Sequence, residues 1–232
     1  MNGRRTVDRV YLDWNATAPL RPEARDAMID AFEIVGNPSS VHSEGRAARS
    51  LVETARGQVA QLVGCKPGEV VFTSGATEAA RVLRSQVASR SVFVEDTAHD
   101  AIWAHAHHAS DEANQALHGH TLALGLANSE TGVISEPPKK IDGRYPYGQL
   151  WADWLFLDVT QAVGRIPWSF HWSGADLACL SAHKLGGPKG VGALIVKDGL
   201  DISPLQSGGG QELGRRSGTE NVAGIAGFGA AC

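Results

Sequence analysis

Lys184 follows the short apolar run 177–181 and precedes the glycine-rich stretch 186–190. A lysine at the end of a buried strand is shielded from water, and desolvation favours its neutral amine. The neutral amine is the form that attacks carbonyl groups to make Schiff bases. The pattern therefore predicts a lysine that bonds covalently to a bulky aldehyde or ketone. A solvated surface charge is the alternative for any single lysine.

Three other polar features each follow an apolar run. The turn at residues 73–77 (TSGAT) joins a strand to a helix, where amides and the Thr77 hydroxyl can hold a phosphate. Asp158 can pair with a protonated ring nitrogen or cap the next helix. His99 can stack on a ring and exchange protons, or lie on the surface. With Lys184, these features indicate pyridoxal 5'-phosphate as the cofactor.

The elements that must position these residues alternate between helices and short apolar strands. Helices are predicted at residues 21–35, 43–63 and 74–88, and a loop at residues 137–150. The predicted strands are residues 70–73, 91–95, 121–127, 154–158, 177–181 and 192–196. This alternation is typical of an α/β fold whose mostly parallel sheet is sandwiched by helices. Ligands of such sheets bind beyond the carboxyl ends of the strands.

Composition narrows the class of protein. The 232 residues fit one large domain, with or without a small appendage, and 43% hydrophobic and 20% charged residues are ordinary for a globular protein. The net charge of −4 argues against nucleic acid as a partner. No apolar run is long enough to span a membrane, and residues 1–9 lack the apolar core of a secretory signal.

Cysteines can form disulfide bonds, and cysteines and histidines can bind metal ions. Cys65, Cys179 and Cys232 are odd in number and widely spaced, which predicts neither disulfides nor zinc and favours a reducing cytoplasm. The histidines do not share one helix face, so no metal site is predicted. They are His105, His107, His108, His118 and His120.

Several longer stretches carry a family resemblance. They are residues 11–17 (YLDWNAT), 36–42 (GNPSSVH), 72–78 (FTSGATE), 128–133 (NSETGV), 158–164 (DVTQAVG), 181–184 (SAHK) and 208–212 with 216–221 (GGGQE and RSGTEN). In these stretches the chain resembles the cysteine desulfurases, which are fold-type I pyridoxal-phosphate enzymes of the class V aminotransferase group. The resemblance implies a large cofactor-binding domain over residues 21–232 and an N-terminal segment over residues 1–20 that packs with a small C-terminal domain, here missing.

The same resemblance implies a role for each site residue. Lys184 forms the Schiff base, and His99 stacks on the cofactor ring and moves protons. Asp158 pairs with the ring nitrogen and Gln161 contacts the ring hydroxyl. The residues implied to hold the phosphate are Ala76, Thr77, Ser181 and His183. Thr219 is implied to reach the phosphate of a neighbouring subunit, which makes the protein a homodimer.

Three departures from the family pattern matter. The family has two asparagines before Glu-Thr-Gly, and the second contacts cofactor or substrate; here Asn128 is kept and Ser129 takes the second place, with a shorter reach. The intervals 99–128 and 132–158 are shorter than usual. The family's C-terminal part, with its nucleophilic cysteine loop and an arginine for the substrate carboxylate, is absent.

The resemblance implies a reaction in which L-cysteine gives alanine and its sulfur passes to a cysteine thiolate as a persulfide. That sulfur supplies iron–sulfur clusters or RNA thiolation through an acceptor or scaffold protein. Two alternatives stay open: a selenocysteine lyase or other class V enzyme, and a non-catalytic scaffold that keeps the fold. A dehydrogenase is disfavoured because no dinucleotide-binding fingerprint is present.

Overall fold

The computed structural model describes residues 9–85, 90–106 and 119–232. Its strands are β1 (Val70–Thr73), β2 (Arg90–Val94), β3 (Gly119–Gly125), β4 (Tyr145–Tyr147), β5 (Leu150–Ala152), β6 (Trp154–Asp158), β7 (Leu177–Ser181) and β8 (Gly192–Val196). Six of these described strands form one sheet in the order β1-β8-β7-β6-β3-β2. Strands β2, β3, β6 and β7 are parallel neighbours, whereas β8 is antiparallel to β7 and β1. The predicted mostly parallel sheet is confirmed.

The helices lie on both sides of this sheet. They are α1 (Pro22–Phe32), α2 (Ser43–Val63), α3 (Ala76–Ala79), α4 (Arg81–Ser85), α5 (Asp100–Trp103), α6 (Phe170–Ser173) and α7 (Val222–Ala231). Helix α2 has the predicted bounds because His42 caps its first turn and Gly64, at φ 65°, ends it in the left-handed region. Within the described part of the chain, no helix is long and apolar enough to cross a membrane.

Two hydrophobic clusters, one on each face of the sheet, form the core. In β6, Leu155 and Leu157 belong to the cluster that includes α2 and α7, whereas Phe156 belongs to the cluster that includes α3 and α4. Helix α7 packs against α1 and α2. Its Gly229 permits this approach, since a Cβ there would lie 2.6 Å from the Cα of Ala55. The apolar runs of the sequence are therefore strands buried on both faces.

The prediction of a loop over residues 137–150 is partly wrong. Strands β4 and β5 pair as an antiparallel hairpin around Gly148, which has a φ of 59°. The hydroxyl of Tyr145 donates to Gly174 O, and the ammonium of Lys140 lies 4.7 Å from the Tyr145 ring centroid. The prolines and glycines of this stretch are typical of loops, so the sequence did not indicate strands here. The hairpin is held partly by the bond to the distant Gly174.

The helix predicted over residues 74–88 is also interrupted. It is divided into α3 and α4 at Ala80, whose carbonyl accepts from the Leu83 amide, a shortened i to i+3 bond that tightens the turn. The helix predicted at residues 21–35 starts at Pro22 and ends at Phe32, three residues early. Residues 86–89 lie outside the described residues.

Gly192 is expected to tolerate no side chain. A Cβ there would lie 2.5 Å from Leu180 O and 2.7 Å from the Cα of Gly75, both backbone atoms that cannot turn away. We predict that Gly192→Ala lowers the free energy of unfolding by about 1–3 kcal/mol, the range for overpacked interiors, measured by urea denaturation. Gly57→Ala is the matched control: it lies within α2 and its Cβ would meet nothing within 4 Å. That change should stabilise by about 0.5–1 kcal/mol, and equal effects of the two substitutions would contradict the prediction.

Candidate active site

A cavity of about 560 Å³ opens where the parallel strands end. Residues that follow β2, β3, β6 and β7 contribute to its wall, so four neighbouring carboxyl ends meet there. The predicted residues that line it are Ala76, Thr77, His99, Asn128, Ser129, Asp158, Gln161, Ser181, His183 and Lys184. The structure thus brings together every residue predicted for the site except Thr219.

Lys184 is half-buried at the end of the loop after β7. Its Nζ donates to the carbonyl oxygen of Asn15 at 2.5 Å and to that of Ala16 at 3.0 Å. Burial, and then the positive charge of Arg165, lower the pKa of Lys184 below its usual value. The amine is therefore closer to its neutral form than a surface lysine is, and its role as a Schiff-base lysine stays a prediction.

Asp158 lies at the last position of β6, with one carboxylate oxygen accepting from the Thr160 amide at 3.0 Å. Behind it lies the buried Cys179, whose pKa is raised well above its usual value by burial and by the Asp158 charge. Burial also raises the pKa values of Cys65 and Cys232 to about 12. None of these thiols lines the described cavity or is a ready thiolate.

The turn after β1 is fastened to the rest of the site by side chains. The amide of Ala76 donates to Ser181 Oγ at 2.8 Å, and the amide of Ser74 donates to Glu78 Oε2 at 2.6 Å. Glu78 also forms an ion pair with Arg216 at 2.8 Å. Although burial opposes it, the bonds from Arg216 and Ser74 lower the pKa of Glu78. The turn is thus held in place by a carboxylate that stays ionised.

A cation, Lys189, lies beside this turn, together with the carboxylate of Glu78. His183 and Lys189 line an adjoining cavity of about 430 Å³, together with Thr77 and Ser181. Burial, and then the charges of Lys184 and Lys189, lower the pKa of His183. The positive charges of Lys184 and Lys189 attract an anion, so this part of the site suits a phosphate.

His99 lines the cavity and caps the N-terminus of α5. Its Nδ1 accepts from the Ala101 amide at 3.0 Å, so the proton of the neutral ring is on Nε2. The histidine is thereby fixed in one tautomer by the backbone.

Asn128 organises the turn that follows β3. Its Oδ1 accepts from the amides of Glu130 and Thr131, both at 2.9 Å, and its Nδ2 donates to Thr97 O at 3.1 Å. The hydroxyl of Ser129 donates to Glu130 Oε1 at 3.0 Å. Both predicted residues reach the cavity wall, but in this structure the Ser129 side chain bonds within its own loop and the Asn128 side chain bonds to its own loop and to Thr97 O in the loop after β2.

Thr219 lies elsewhere. It lines a separate cavity of about 90 Å³ with Ser74 from the turn after β1 and with Arg216 from the loop before α7. The expectation that it serves a neighbouring subunit stays a prediction.

Two residues beside Lys184 were missed by sequence reasoning. Arg165 donates to Asn15 Oδ1 and Gln161 Oε1, both at 2.6 Å, and to Lys184 O at 3.2 Å. Asn15 lies in the family-like stretch 11–17, and Arg165 directly follows the family-like stretch 158–164. Their positions near these stretches could have indicated that they belong to the site, but their side-chain types alone could not.

The histidine cluster does not form a metal site within the described residues. His105 and His120 belong to the described ranges, whereas His107, His108 and His118 lie outside them. Among the residues at 9–85, 90–106 and 119–232, no group of three or more histidine, cysteine or acidic side chains is placed to hold a metal ion.

Comparisons with known proteins agree with this architecture. The model of the aminotransferase class-V family matches residues 10–134 and 118–232. Curated relatives include a cysteine desulfurase of Frankia sp. (strain EuIK1), 40% identical over 96% of this chain and 61% of the relative, and the cysteine desulfurase IscS of Dictyoglomus turgidum, 37% identical over 96% and 62%. The chain thus spans less than two thirds of the length of these relatives.

Solved structures give the same result. A NifS-like protein superposes with a TM-score of 0.82 at 31% identity, covering 96% of this chain and 68% of the other. A NifS-like protein from Rickettsia africae ESF-5 gives a TM-score of 0.80, also at 31% identity, over 96% and 67%. The family model, the curated relatives and the solved structures all indicate the same family. The chain therefore belongs to the class-V aminotransferase family and, within it, to the cysteine desulfurases.

Proposed function

We propose that this chain is the cofactor-binding part of a cysteine desulfurase that uses pyridoxal 5'-phosphate, the cofactor of its family. The observation that carries the proposal is the meeting of Lys184, Asp158, His99 and Ser181 around one cavity. Each has the chemistry that a different part of the cofactor requires, and together they come from three strand ends: His99 follows β2, Asp158 ends β6, and Ser181 and Lys184 lie at and just after the end of β7.

The residues present fit this cofactor. The lowered pKa of Lys184 suits an amine that reacts with an aldehyde. Asp158 supplies the carboxylate for a protonated ring nitrogen, and the ammonium of Lys189, beside His183 and the turn after β1, supplies positive charge for a phosphate. When bound, pyridoxal phosphate supplies an electron sink for the bonds at the substrate Cα.

The protein residues then have distinct tasks. We infer that Ala76, Thr77, Ser181 and His183 bind the phosphate. Asp158 keeps the ring nitrogen protonated, and Gln161, Asn128 and Ser129 surround the ring and the substrate. The amine of Lys184 takes the proton from the substrate Cα. His99 stacks on the ring and holds on Nε2 a proton that it can transfer, because its Nδ1 is engaged by the Ala101 amide.

The proposed substrate is L-cysteine. Its Cβ–S bond breaks, alanine is released, and the sulfur passes to an acceptor thiol as a persulfide for iron–sulfur clusters or RNA thiolation. The acceptor is proposed to be a thiol other than Cys65, Cys179 and Cys232, since Cys179 is fully buried and none of the three lines the described cavity. The absence of a thiol from the described cavity wall favours a second candidate, a selenocysteine lyase or related eliminating enzyme.

Assembly and compartment are proposed on separate grounds. Thr219 lies outside the cavity of its own chain, which supports a homodimer in which it completes the partner's site. All three cysteines are unpaired, which supports the reducing cytoplasm.

The proposal predicts a covalent adduct. Pyridoxal phosphate added to the purified chain should give a yellow protein, and borohydride should bleach the colour and fix the cofactor permanently. Peptide mass spectrometry should then find it on Lys184 rather than Lys189 or Lys197. A colourless chain, or label spread over surface lysines, would refute the cofactor assignment. Products from cysteine, cysteine sulfinate and selenocysteine distinguish the two candidate activities.

A further inference from the structure

The N-terminal segment Trp14, Asn15 and Ala16, here called the strap, lies against Lys184. The amine of Lys184 bonds to the carbonyls of Asn15 and Ala16. Although Lys184 lines the main cavity, none of the three strap residues does. The amine is thus held by groups outside the cavity wall, and it must leave them before it can react with a ligand in the cavity.

The strap is not held by burial of its apolar side chains. Trp14 is 55% exposed and the preceding Leu12 is 83% exposed. After the strap, the chain is fixed by backbone bonds, from the Ala18 amide to His183 O and from the Arg21 amide to Gly186 O, both at 2.9 Å. Polar contacts must therefore hold the strap itself.

Arg165 supplies two of those contacts and connects the strap to two other groups. Its guanidinium donates to Asn15 Oδ1 at 2.6 Å and to Trp14 O at 3.0 Å. The same group donates to Gln161 Oε1 at 2.6 Å and to Lys184 O at 3.2 Å. One side chain therefore joins the strap, the turn after β6 and the backbone of the reactive lysine. The planar fork of arginine allows this, whereas the single ammonium of lysine does not.

Asn15 receives these contacts at nearly every polar atom. Besides Arg165 and Lys184, Gln161 Nε2 donates to its carbonyl at 3.0 Å, and its own Nδ2 donates to Ser129 O at 2.9 Å. A change at Arg165 or Asn15 is thus transmitted directly to the groups that hold the Lys184 amine.

We propose that Arg165 is a positioning residue that fastens the strap over Lys184 and so controls the availability of its amine. This inference rests on the proposed role of Lys184. Arg165 acts in two separable ways: its bonds shield the amine, and its charge beside Lys184 disfavours the ammonium. Removing the bonds exposes the amine, and removing the charge raises the pH at which the amine loses its proton.

The test uses the full chain without added cofactor. Trace labelling with acetic anhydride, followed by peptide mass spectrometry across the pH range, gives for Lys184 a midpoint pH and a plateau rate. Arg165→Met should raise the plateau about tenfold, the effect of losing hydrogen bonds from a charged donor, and move the midpoint upward. Arg165→Lys should raise the plateau and move the midpoint upward by less than Arg165→Met does, because the amine becomes more exposed while the positive charge is kept. Asn15→Ala should do the same, because the charge of Arg165 remains.

Arg144→Met is the matched control, since Arg144 also donates to a side-chain oxygen and a backbone carbonyl, those of Asp153 and Trp151, and these bonds do not involve Lys184 or the strap. If Arg165→Met leaves plateau and midpoint at the values of wild type and this control, the proposal is overturned. Should Arg165→Met fail to fold by circular dichroism, an unchanged plateau in Asn15→Ala overturns it equally. If the labelling changes as expected but the chain takes up no pyridoxal phosphate, the strap inference stands and the proposed function fails.

Discussion

Lys184→Ala should leave a folded protein that cannot retain pyridoxal phosphate. The proposed cofactor bond is to this amine, and Lys184 is outside both hydrophobic clusters. The variant should show no yellow colour after dialysis, and borohydride should fix no cofactor. If the wild-type chain turns over an amino acid, the variant should lose at least about 10²-fold in rate, the lower range for a missing acid–base group.

Lys66→Ala provides the control for this experiment. Lys66 is an exposed lysine that pairs with Asp198 and lies outside the described cavity walls. It should bind cofactor like the wild type. A Lys184→Ala protein that still yields a borohydride-stable adduct on a single lysine would move the proposed bond to that residue. A variant whose urea midpoint falls sharply would show that Lys184 is needed for the fold.

The strand ends of this site could be predicted because the signal is local. A strand buried on both faces is a continuous apolar run, and the polar residue that ends it lies at the carboxyl edge of the sheet. This reasoning located Asp158 after β6 and Lys184 after β7. Parallel pairing then brings the separate strand ends to one cavity, as the structure shows.

The strap contacts could not be predicted in the same way. Arg165 and Asn15 are 150 residues apart, and no periodicity in either segment indicates that they meet. The β4–β5 hairpin was not predicted for a related reason, because the hydrogen bond that holds it, from Tyr145 to Gly174, spans 29 residues. Local patterns identify elements and their ends, whereas bonds between loops depend on how the completed sheet places them.

A buried ion pair that does not line the main cavity should be critical for stability. Glu212 and Arg56 are both buried, and the Glu212 carboxylate accepts from the two terminal nitrogens of Arg56 at 2.7 and 2.9 Å. It also accepts from the Phe72 amide at 2.7 Å, and so connects the loop before α7 to β1. Although burial acts to lower it, these contacts with Glu212 raise the pKa of Arg56 above its usual range.

Glu212→Gln is expected to lower the free energy of unfolding by about 3–5 kcal/mol, because it leaves the buried Arg56 charge paired only with the half-exposed Glu53. The amide of glutamine also replaces one acceptor oxygen with a donor that faces the guanidinium. Glu53→Gln is the matched control: Glu53 contacts the same guanidinium at 3.2 Å but is 52% exposed, so its loss should cost at most about 1 kcal/mol. Urea denaturation followed by circular dichroism measures both.

The double variant Arg56→Met with Glu212→Gln identifies the cause of the loss. It leaves no unbalanced charge in the core, so it should be more stable than Glu212→Gln alone if the buried charge is responsible. A double variant that is less stable by the sum of the single effects would instead assign the loss to two independent contacts. Because Glu212 bonds to Phe72 directly before the turn at residues 73–77, a charge-driven loss should also weaken phosphate binding by that turn.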